Sequence, residues 1–396
     1  MGTTQNGTLP ARIVEAIRSA IGPQDGFVPL HKPTFENHEW EYVKECIDTE
    51  WVSTAGSYVE QFEEDLAAYT GAERAVVTVN GTAALHVALR LAGVTPDDEV
   101  LVPALSFVAT ANAVAYLGAT PHFVDSEGKT LGVDPEKLGT YLDDIAEVRH
   151  GMCINTETGR PIKALVPMHT YGHPVALDQL QEVAQTYHLT LVEDAAESLG
   201  SLYKGTHTGT IGRLGALSFN GNKTITTGGG GAILTNDDDL ADEALHLVRV
   251  AKEDHEWEYF HDQTGYNYRM PNLNAALGCA QLEQMPSFLE RKRALAERYR
   301  EAFVDVNGVT FFTERKDTRS NYWLNVLLLD ENRADCRDDV LEATNEADLM
   351  TRPTWQLLSS LPMYEDAPRM DLSTAKSLER RLINIPSTPT LVEAER

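Results

Sequence analysis

The stretch GALSFNGNKTITTGGGG, residues 215–231, is the part of the sequence from which the fold is best predicted. A short apolar run ends at Ser218, Lys223 follows five positions later, and four glycines precede a second apolar run at 232–234. Lysine forms Schiff bases with carbonyl compounds as a free amine, and ligands of α/β enzymes bind where strands end. For this stretch alone, a solvated loop lysine beside a glycine turn is the better interpretation.

A second stretch, LVEDAAES at 191–198, makes a functional lysine the better interpretation, because it places an acid at the end of another strand-like run. Pyridoxal phosphate chemistry requires a lysine for the aldehyde and a carboxylate that keeps the ring nitrogen protonated. Asp194 and Lys223 are candidates for these two roles. Asp194 alone also fits a helix cap or a turn residue.

A third stretch, VTVNGTAALHVAL at 77–89, predicts a phosphate site. A β-branched run stops at Asn80-Gly81, and an Ala/Leu-rich helical pattern begins at Thr82. The free N–H groups and the dipole of such a helix N-terminus suit a phosphate group. Ser218 offers a further hydroxyl. An ordinary strand-turn-helix with Thr82 as the cap fits the same letters.

Strand-like and helical patterns alternate from residue 75 to about residue 250, which predicts an α/β fold with a doubly wound, mostly parallel seven-stranded sheet. A cofactor is then expected at the carboxyl ends of the strands. The predicted strands are 75–79, 99–104, 121–124, 164–168, 189–193, 216–219 and 232–235. The predicted helices between them are 82–92, 107–117, 135–144, 177–187 and 238–251.

Five motifs in fixed order resemble the DegT/StrS nucleotide-sugar aminotransferases, a family of fold-type I pyridoxal phosphate enzymes. They are VNGT (79–82), SFVAT (106–110), EDAA (193–196), SF with Lys223 (218–223), and GYNYRM (265–270). The resemblance runs through nearly the whole chain. It implies the fold-type I architecture, pyridoxal 5'-phosphate as cofactor, and a homodimer whose subunits share their active sites.

The resemblance also implies roles for single residues. Lys223 binds the cofactor covalently and then acts as general acid and base, and Asp194 pairs with the ring nitrogen. The phosphate is bound by the Gly81-Thr82 turn, by Ser218 and by Asn267 of the partner subunit.

Two further cofactor contacts follow from the resemblance with alternatives left open. Phe107 is expected to stack on the pyridine ring, although a lone phenylalanine at a helix start is more often a core residue. Glu197 stands where relatives carry Gln, His or Glu near the phenolic oxygen, and its role stays open. Asn267 also fits a turn or cap residue.

Three residues are weaker candidates for contact with the sugar substrate. Thr54 lies in STAGS (53–57), which is either a substrate loop or a plain interhelical turn. His169 and Tyr171 lie in HTYGHP (169–174), which resembles a His-x-aromatic-Gly loop beside the substrate. A lone histidine is more often a structural one.

Glutamate as amino donor and a nucleotide-linked keto-sugar as acceptor are what the resemblance implies as substrates. The beginning FVPLHKP (27–33) and the ending NIPS (384–387) resemble the branch that makes 4-amino-4,6-dideoxy-N-acetylhexosamine nucleotides, as in bacillosamine or legionaminic acid synthesis. The alternatives are a 3-dehydrase of the same family, which carries histidine in place of the lysine, and a non-catalytic sensor that binds the cofactor. A nicotinamide enzyme is disfavoured because no GxGxxG follows the first strand.

Length and composition set the remaining expectations. The chain has 396 residues and a formal charge of −27, which disfavours nucleic acid and anionic membranes as partners. Its four cysteines match no metal spacing, and no run is apolar enough to span a membrane, so we expect a cytoplasmic protein without a structural metal. We expect an N-terminal helix and arm (1–33), a large cofactor-binding α/β domain (34–285) and a small α+β domain (286–396).

Overall fold

The computed structural model describes residues 7–392 of the chain. Within that range, the strands are β1 (Arg74–Thr78), β2 (Glu99–Pro103), β3 (Thr120–Val124), β4 (Ala146–Arg149), β5 (Met152–Asn155), β6 (Pro161–Leu165), β7 (Thr190–Asp194), β8 (Leu202–Tyr203), β9 (Thr206–His207), β10 (Leu214–Ser218), β11 (Gly231–Thr235), β12 (Val309–Phe311), β13 (Thr318–Arg319), β14 (Asn325–Leu329), β15 (Arg352–Pro353) and β16 (Leu382–Ile385).

The α-helices in the same range are α1 (Leu9–Ile21), α2 (Glu39–Asp48), α3 (Ser57–Thr70), α4 (Gly81–Leu91), α5 (Val108–Tyr116), α6 (Pro135–Ile145), α7 (Leu177–Thr186), α8 (Asp238–Val248), α9 (Asn272–Glu283), α10 (Met285–Phe303), α11 (Arg337–Glu346) and α12 (Ser373–Glu379). No helix among the described residues combines the length and apolar character needed to cross a membrane.

The central sheet has the strand order β1-β11-β10-β7-β6-β2-β3, and it contains all seven predicted strands. Strands β10, β7, β6, β2 and β3 pair in parallel, as predicted. Strand β11 instead runs antiparallel to both β1 and β10. The hairpin β4–β5, which the sequence did not indicate, adds two strands beside β6. The prediction of a mostly parallel α/β sheet is therefore confirmed, with a larger and more mixed sheet than expected.

The side chains of alternate residues in the central sheet belong to different hydrophobic cores, because successive side chains of a strand point to opposite faces. Val76, Ala216 and Ile233 belong to the large cluster on the face that α4, α5 and α8 cover. Val77 and Leu217 belong to a second cluster, on the face covered by α3 and α9. Helices on both faces leave the carboxyl edge of the parallel strands as the open side.

A second, fully antiparallel sheet has the order β12-β14-β16-β15. Helices α1, α10 and α11 share one apolar cluster with it, which includes Ile13, Tyr299 and Val340. Helix α9 ends at Glu283 and α10 begins at Met285, close to the predicted boundary at residue 285. The division into domains stays a prediction.

Candidate active site

Lys223 lies in the loop after β10, with its side chain 12% exposed. Its Nζ atom is 3.3 Å from Oε1 of Glu197 and 3.9 Å from the centre of the Trp323 ring. The positive charge of Lys223 acts to lower the pKa of Asp194 and of Glu197. Lys223 is therefore a largely buried cation close to two carboxyl groups, and it is not a solvated loop residue.

Asp194 ends β7 and is buried. Its Oδ2 accepts a hydrogen bond of 2.7 Å from Thr110 Oγ1, and its Oδ1 accepts one of 3.2 Å from the amide of Ala196. Burial is the largest influence and raises the pKa of Asp194 above its usual range, against the effect of these donors. A cation placed against this carboxyl group would stabilise its charged form.

Glu197 is also buried, and its Oε2 accepts a 2.8 Å hydrogen bond from the amide of Tyr171. Burial raises the pKa of Glu197 to about 7, although Lys223 and the Tyr171 amide act in the opposite direction. Glu197 thus holds its proton close to neutral pH. The sequence alone left this question open, because it gives no measure of burial.

The N-terminus of α4 forms a cradle for an anion. The side chain of Asn80 caps the helix by accepting from the amide of Ala83 at 2.8 Å, so Asn80 is the cap and Thr82 is not. The amides of Gly81 and Thr82 lie in the first turn, where no helical carbonyl accepts from them. The hydroxyls of Thr82 and Ser218 also make no hydrogen bond to the residues that the structure describes.

Two glycines make this cradle possible. A Cβ atom on Gly81 would lie 2.8 Å from the Cβ of Ser218, and one on Gly231 would lie 2.6 Å from the backbone of Asn80. Strand β10 and the start of β11 therefore approach α4 more closely than a side chain permits. This contact brings Ser218 against the helix N-terminus, and it explains the last glycine of the 228–231 run.

Phe107, Asn267 and Thr54 are the predicted site residues whose side chains are open to solvent. Phe107 precedes α5 and is 50% exposed, which contradicts its alternative interpretation as a core residue. Asn267 is exposed, and among residues 7–392 it pairs through its backbone alone, in a bridge to Arg249. Thr54 is exposed, in a loop that Asn272 holds by hydrogen bonds to its backbone.

The side chains of His169 and Tyr171, in contrast, are not open to solvent. His169 is fully buried, and its Nε2 lies 2.9 Å from Oε2 of Glu193 on the strand face opposite Asp194. Tyr171 is also fully buried; its ring stacks on Trp355 and its hydroxyl lies 2.6 Å from Thr354 Oγ1. Neither side chain is accessible in this structure, so the geometry does not support the predicted contact of His169 and Tyr171 with a sugar, which stays a prediction.

Thr110 and Trp323 are candidate site residues that the sequence analysis missed. Thr110 lies in the SFVAT motif, one helical turn after Phe107, and this spacing is the signal that places both on the same side of α5. Trp323 lies 100 positions after Lys223 and two positions before the start of β14, and no local pattern connects the two.

A lysine, a buried acid and an anion cradle thus lie at or just after the ends of β10, β7 and β1, and this combination is what a pyridoxal phosphate site of the fold-type I class requires. The model of the DegT/DnrJ/EryC1/StrS aminotransferase family matches residues 33–396. The chain belongs to that family, and it is a pyridoxal-phosphate-dependent aminotransferase.

Named relatives are similar over most of their length. GDP-perosamine synthase of Escherichia coli O157:H7 is 38% identical over 366 residues, which are 92% of this chain and 94% of that protein. The putative pyridoxal phosphate-dependent aminotransferase EpsN of Bacillus subtilis is 35% identical, over 93% of this chain and 92% of its own. The crystal structure of DesI in the presence of its TDP-sugar product superposes with a TM-score of 0.81 at 28% identity, covering 94% of this chain and 91% of DesI.

Proposed function

We propose that the side chains described above bind the cofactor and carry the reaction. Lys223 is the covalent attachment residue, Asp194 pairs with the ring nitrogen, and Phe107 stacks on the ring. Gly81, Thr82 and Ser218 bind the phosphate. When bound, pyridoxal phosphate supplies the electron sink for moving an amino group between two carbonyl carbons.

The observation that carries this proposal is that several hydrogen-bond donors of the site have no acceptor among the described residues. The two free hydroxyls and the free amides at the start of α4 match the oxygens of a phosphate group. Burial raises the pKa of Asp194, and a protonated ring nitrogen is the kind of partner that would restore its charge. The residues present therefore match the chemistry of the cofactor both at its phosphate group and at its ring nitrogen.

We infer that Lys223 moves the proton of the substrate carbon once its amine is released. Its Nζ lies 3.3 Å from Glu197 Oε1, within reach of proton exchange. Because burial raises the pKa of Glu197 to about 7, this carboxyl group is able to hold or release a proton at neutral pH. Glu197 thereby avoids adding a permanent second negative charge beside Asp194.

We propose a nucleotide-linked 4-keto-6-deoxyhexose as the acceptor, glutamate as the donor and surface-glycan synthesis in the cytoplasm as the setting. An N-acetylated form of the sugar is what the resemblance of the stretches at 27–33 and 384–387 to the 4-amino-4,6-dideoxy-N-acetylhexosamine branch implies. The names of the similar GDP-perosamine synthases support a GDP-linked sugar without settling the hexose. Single-turnover amination of matched GDP-, UDP- and dTDP-linked keto-sugars decides between them.

We also propose a homodimer in which Asn267 of the partner subunit completes each phosphate site. Asn267 is exposed, and its side chain has no partner within the described range. Several large apolar side chains, each more than half exposed, are available to such an interface; they are Trp40, Ile47, Trp51, Trp257, Tyr259 and Phe260.

Mixing two inactive variants tests the shared site. Lys223→Ala and Asn267→Ala subunits, refolded together, give mixed dimers in which one of the two sites has both residues intact. We expect activity to return to about a quarter of the wild-type level, since about half of the dimers are mixed. No recovery, with mixed dimers present, would show that Asn267 does not act across the interface.

The proposed reaction is tested by the visible spectrum of the purified protein before and after glutamate. We expect an absorption band of bound cofactor that glutamate shifts and that a keto-sugar nucleotide restores. Lys223→Ala should lack covalently bound cofactor, whereas the exposed Lys204→Ala should match wild type. A band that no amino donor shifts would favour the sensor or dehydrase alternatives, and no band after added pyridoxal phosphate would overturn the site.

A further inference from the structure

Trp323 contacts Lys223 and its loop in two different ways. The Nζ atom of Lys223 lies 3.9 Å from the centre of the indole ring, and the indole N–H donates a 2.7 Å hydrogen bond to the carbonyl of Asn222. The side chain is buried, with only 4% of the residue exposed. One residue from the segment that leads into β14 therefore touches both the amine and the backbone next to it.

The backbone of Trp323 is itself held on both sides. Its amide donates to Oδ1 of Asn321 at 2.8 Å, and its carbonyl accepts from Nζ of Lys292 at 3.2 Å. Lys292 is fully buried and also donates to the carbonyl of Ser387 at 2.8 Å. The side-chain amide of Asn321 also donates to the backbone carbonyl of Glu197 at 2.9 Å, so Asn321 connects the backbones of the two residues whose side chains contact Lys223.

We propose that Trp323 is a positioning residue for Lys223, and that its ring holds the amine as a cation beside Glu197 whenever the amine is not covalently bound. This inference rests on the proposed role of Lys223. The indole N–H acts separately from the ring. Its hydrogen bond fixes the loop at Asn222 and thus the direction from which the lysine enters the site.

The chemistry follows from the ring's negative face, which attracts an ammonium group and has no such attraction for a neutral amine. Holding the cation slows unwanted reactions of the free amine and presents it in one place for return to the cofactor. The other titratable groups near the amine are Glu197, Asp194 and His31, and burial lowers the pKa of His31 well below its usual range, so that this ring is neutral at neutral pH. A change of the Trp323 ring leaves all three in place.

The test measures how fast the Lys223 amine is acetylated in the full-length chain stripped of cofactor, by trace labelling and peptide mass spectrometry at neutral pH. Biosynthetic fluorination of tryptophan weakens the ring's negative face and leaves its shape nearly unchanged. We expect acetylation of Lys223 to accelerate with each added fluorine, and Trp323→Leu to accelerate it by roughly 2- to 30-fold, the range of cation–π interactions.

The controls separate electronic from structural effects. Exposed Lys44 in the same samples should label at a constant rate, and Val304→Ala, at an exposed position outside the proposed dimer interface, should leave the labelling of Lys223 unchanged. Trp323→Phe, which keeps a ring and loses the N–H, should retain most of the protection. If Trp323→Leu does not fold, the fluorinated series decides alone.

Equal labelling of Lys223 across the fluorinated series would overturn the proposal for Trp323. The proposed function fails differently, when wild-type protein with added pyridoxal phosphate shows no covalent cofactor at Lys223. The two failures are distinguishable because the first is measured without cofactor and the second requires it.

Discussion

Glu197→Gln should stabilise the cofactor-free protein at pH 8 and have little effect at pH 4.5. Burial raises the pKa of Glu197 from 4.5 to about 7, so the folded state holds its proton more tightly than the unfolded state does. Stability linked to this group is fully present below pH 4.5 and is lost as pH rises through 7. The difference corresponds to about 3 kcal/mol at pH 8, since one pKa unit is worth about 1.4 kcal/mol.

Glutamine removes this cost because it is neutral at every pH and its carbonyl still accepts from the Tyr171 amide. The assay is urea unfolding of the cofactor-free wild type and variant at pH 4.5 and pH 8, followed by tryptophan fluorescence. An equal difference in the free energy of unfolding at the two pH values would refute the reasoning. So would a loss of stability at pH 8.

Glu193→Gln is the matched control with the opposite sign. Burial acts to raise the pKa of Glu193, but His169 and the amides of Gly209 and Gly212 together hold it below its usual range. Its charged form is therefore the stable one. We expect Glu193→Gln to destabilise the protein at pH 8 and to do so less as pH falls.

Three further predictions concern the cradle, the acid and a buried histidine. Gly81→Ala should abolish tight cofactor binding in an absorbance titration, because its Cβ would lie 2.8 Å from the opposing strand, whereas Gly128→Ala, with open space around it, should bind normally. Thr110→Val should weaken cofactor binding roughly 10- to 100-fold, since a hydrogen bond to charged Asp194 is worth about 1.5–3 kcal/mol; an unchanged Kd would contradict this. Burial lowers the pKa of His173 from 6.5 to about 4, so wild type should lose up to about 3 kcal/mol of stability as pH falls through this range, and denaturant unfolding of His173→Phe should show a shallower pH dependence.

The sequence predicted most accurately the residues that lie at the ends of strands. Asp194 and Ser218 end β7 and β10, and Gly81 begins α4, because apolar runs that stop at a polar or glycine residue mark the carboxyl edge of a buried sheet. The same reasoning gave six of the seven strands their correct direction. It missed that β11 returns antiparallel, since a strand's direction depends on the path of its connection and not on its composition.

Residues whose roles depend on burial or on distant partners were beyond the sequence. His169 and Tyr171 follow a strand end as Asp194 does, yet they turn inward, toward Glu193 and Trp355. Trp323 reaches Lys223 only because the second sheet packs against the first. Periodicity describes the elements themselves and gives no information on which loops meet between two sheets.

Reduction of the holoprotein with borohydride, followed by peptide mapping, shows which lysine holds the cofactor. Reduction fixes a covalent cofactor to its lysine and removes the visible absorption band. We expect a single peptide, the one that contains Lys223, to gain the mass of the reduced cofactor, and Lys223→Ala to gain none. A label on another lysine in the wild type, or a reducible band that persists in Lys223→Ala, would contradict it.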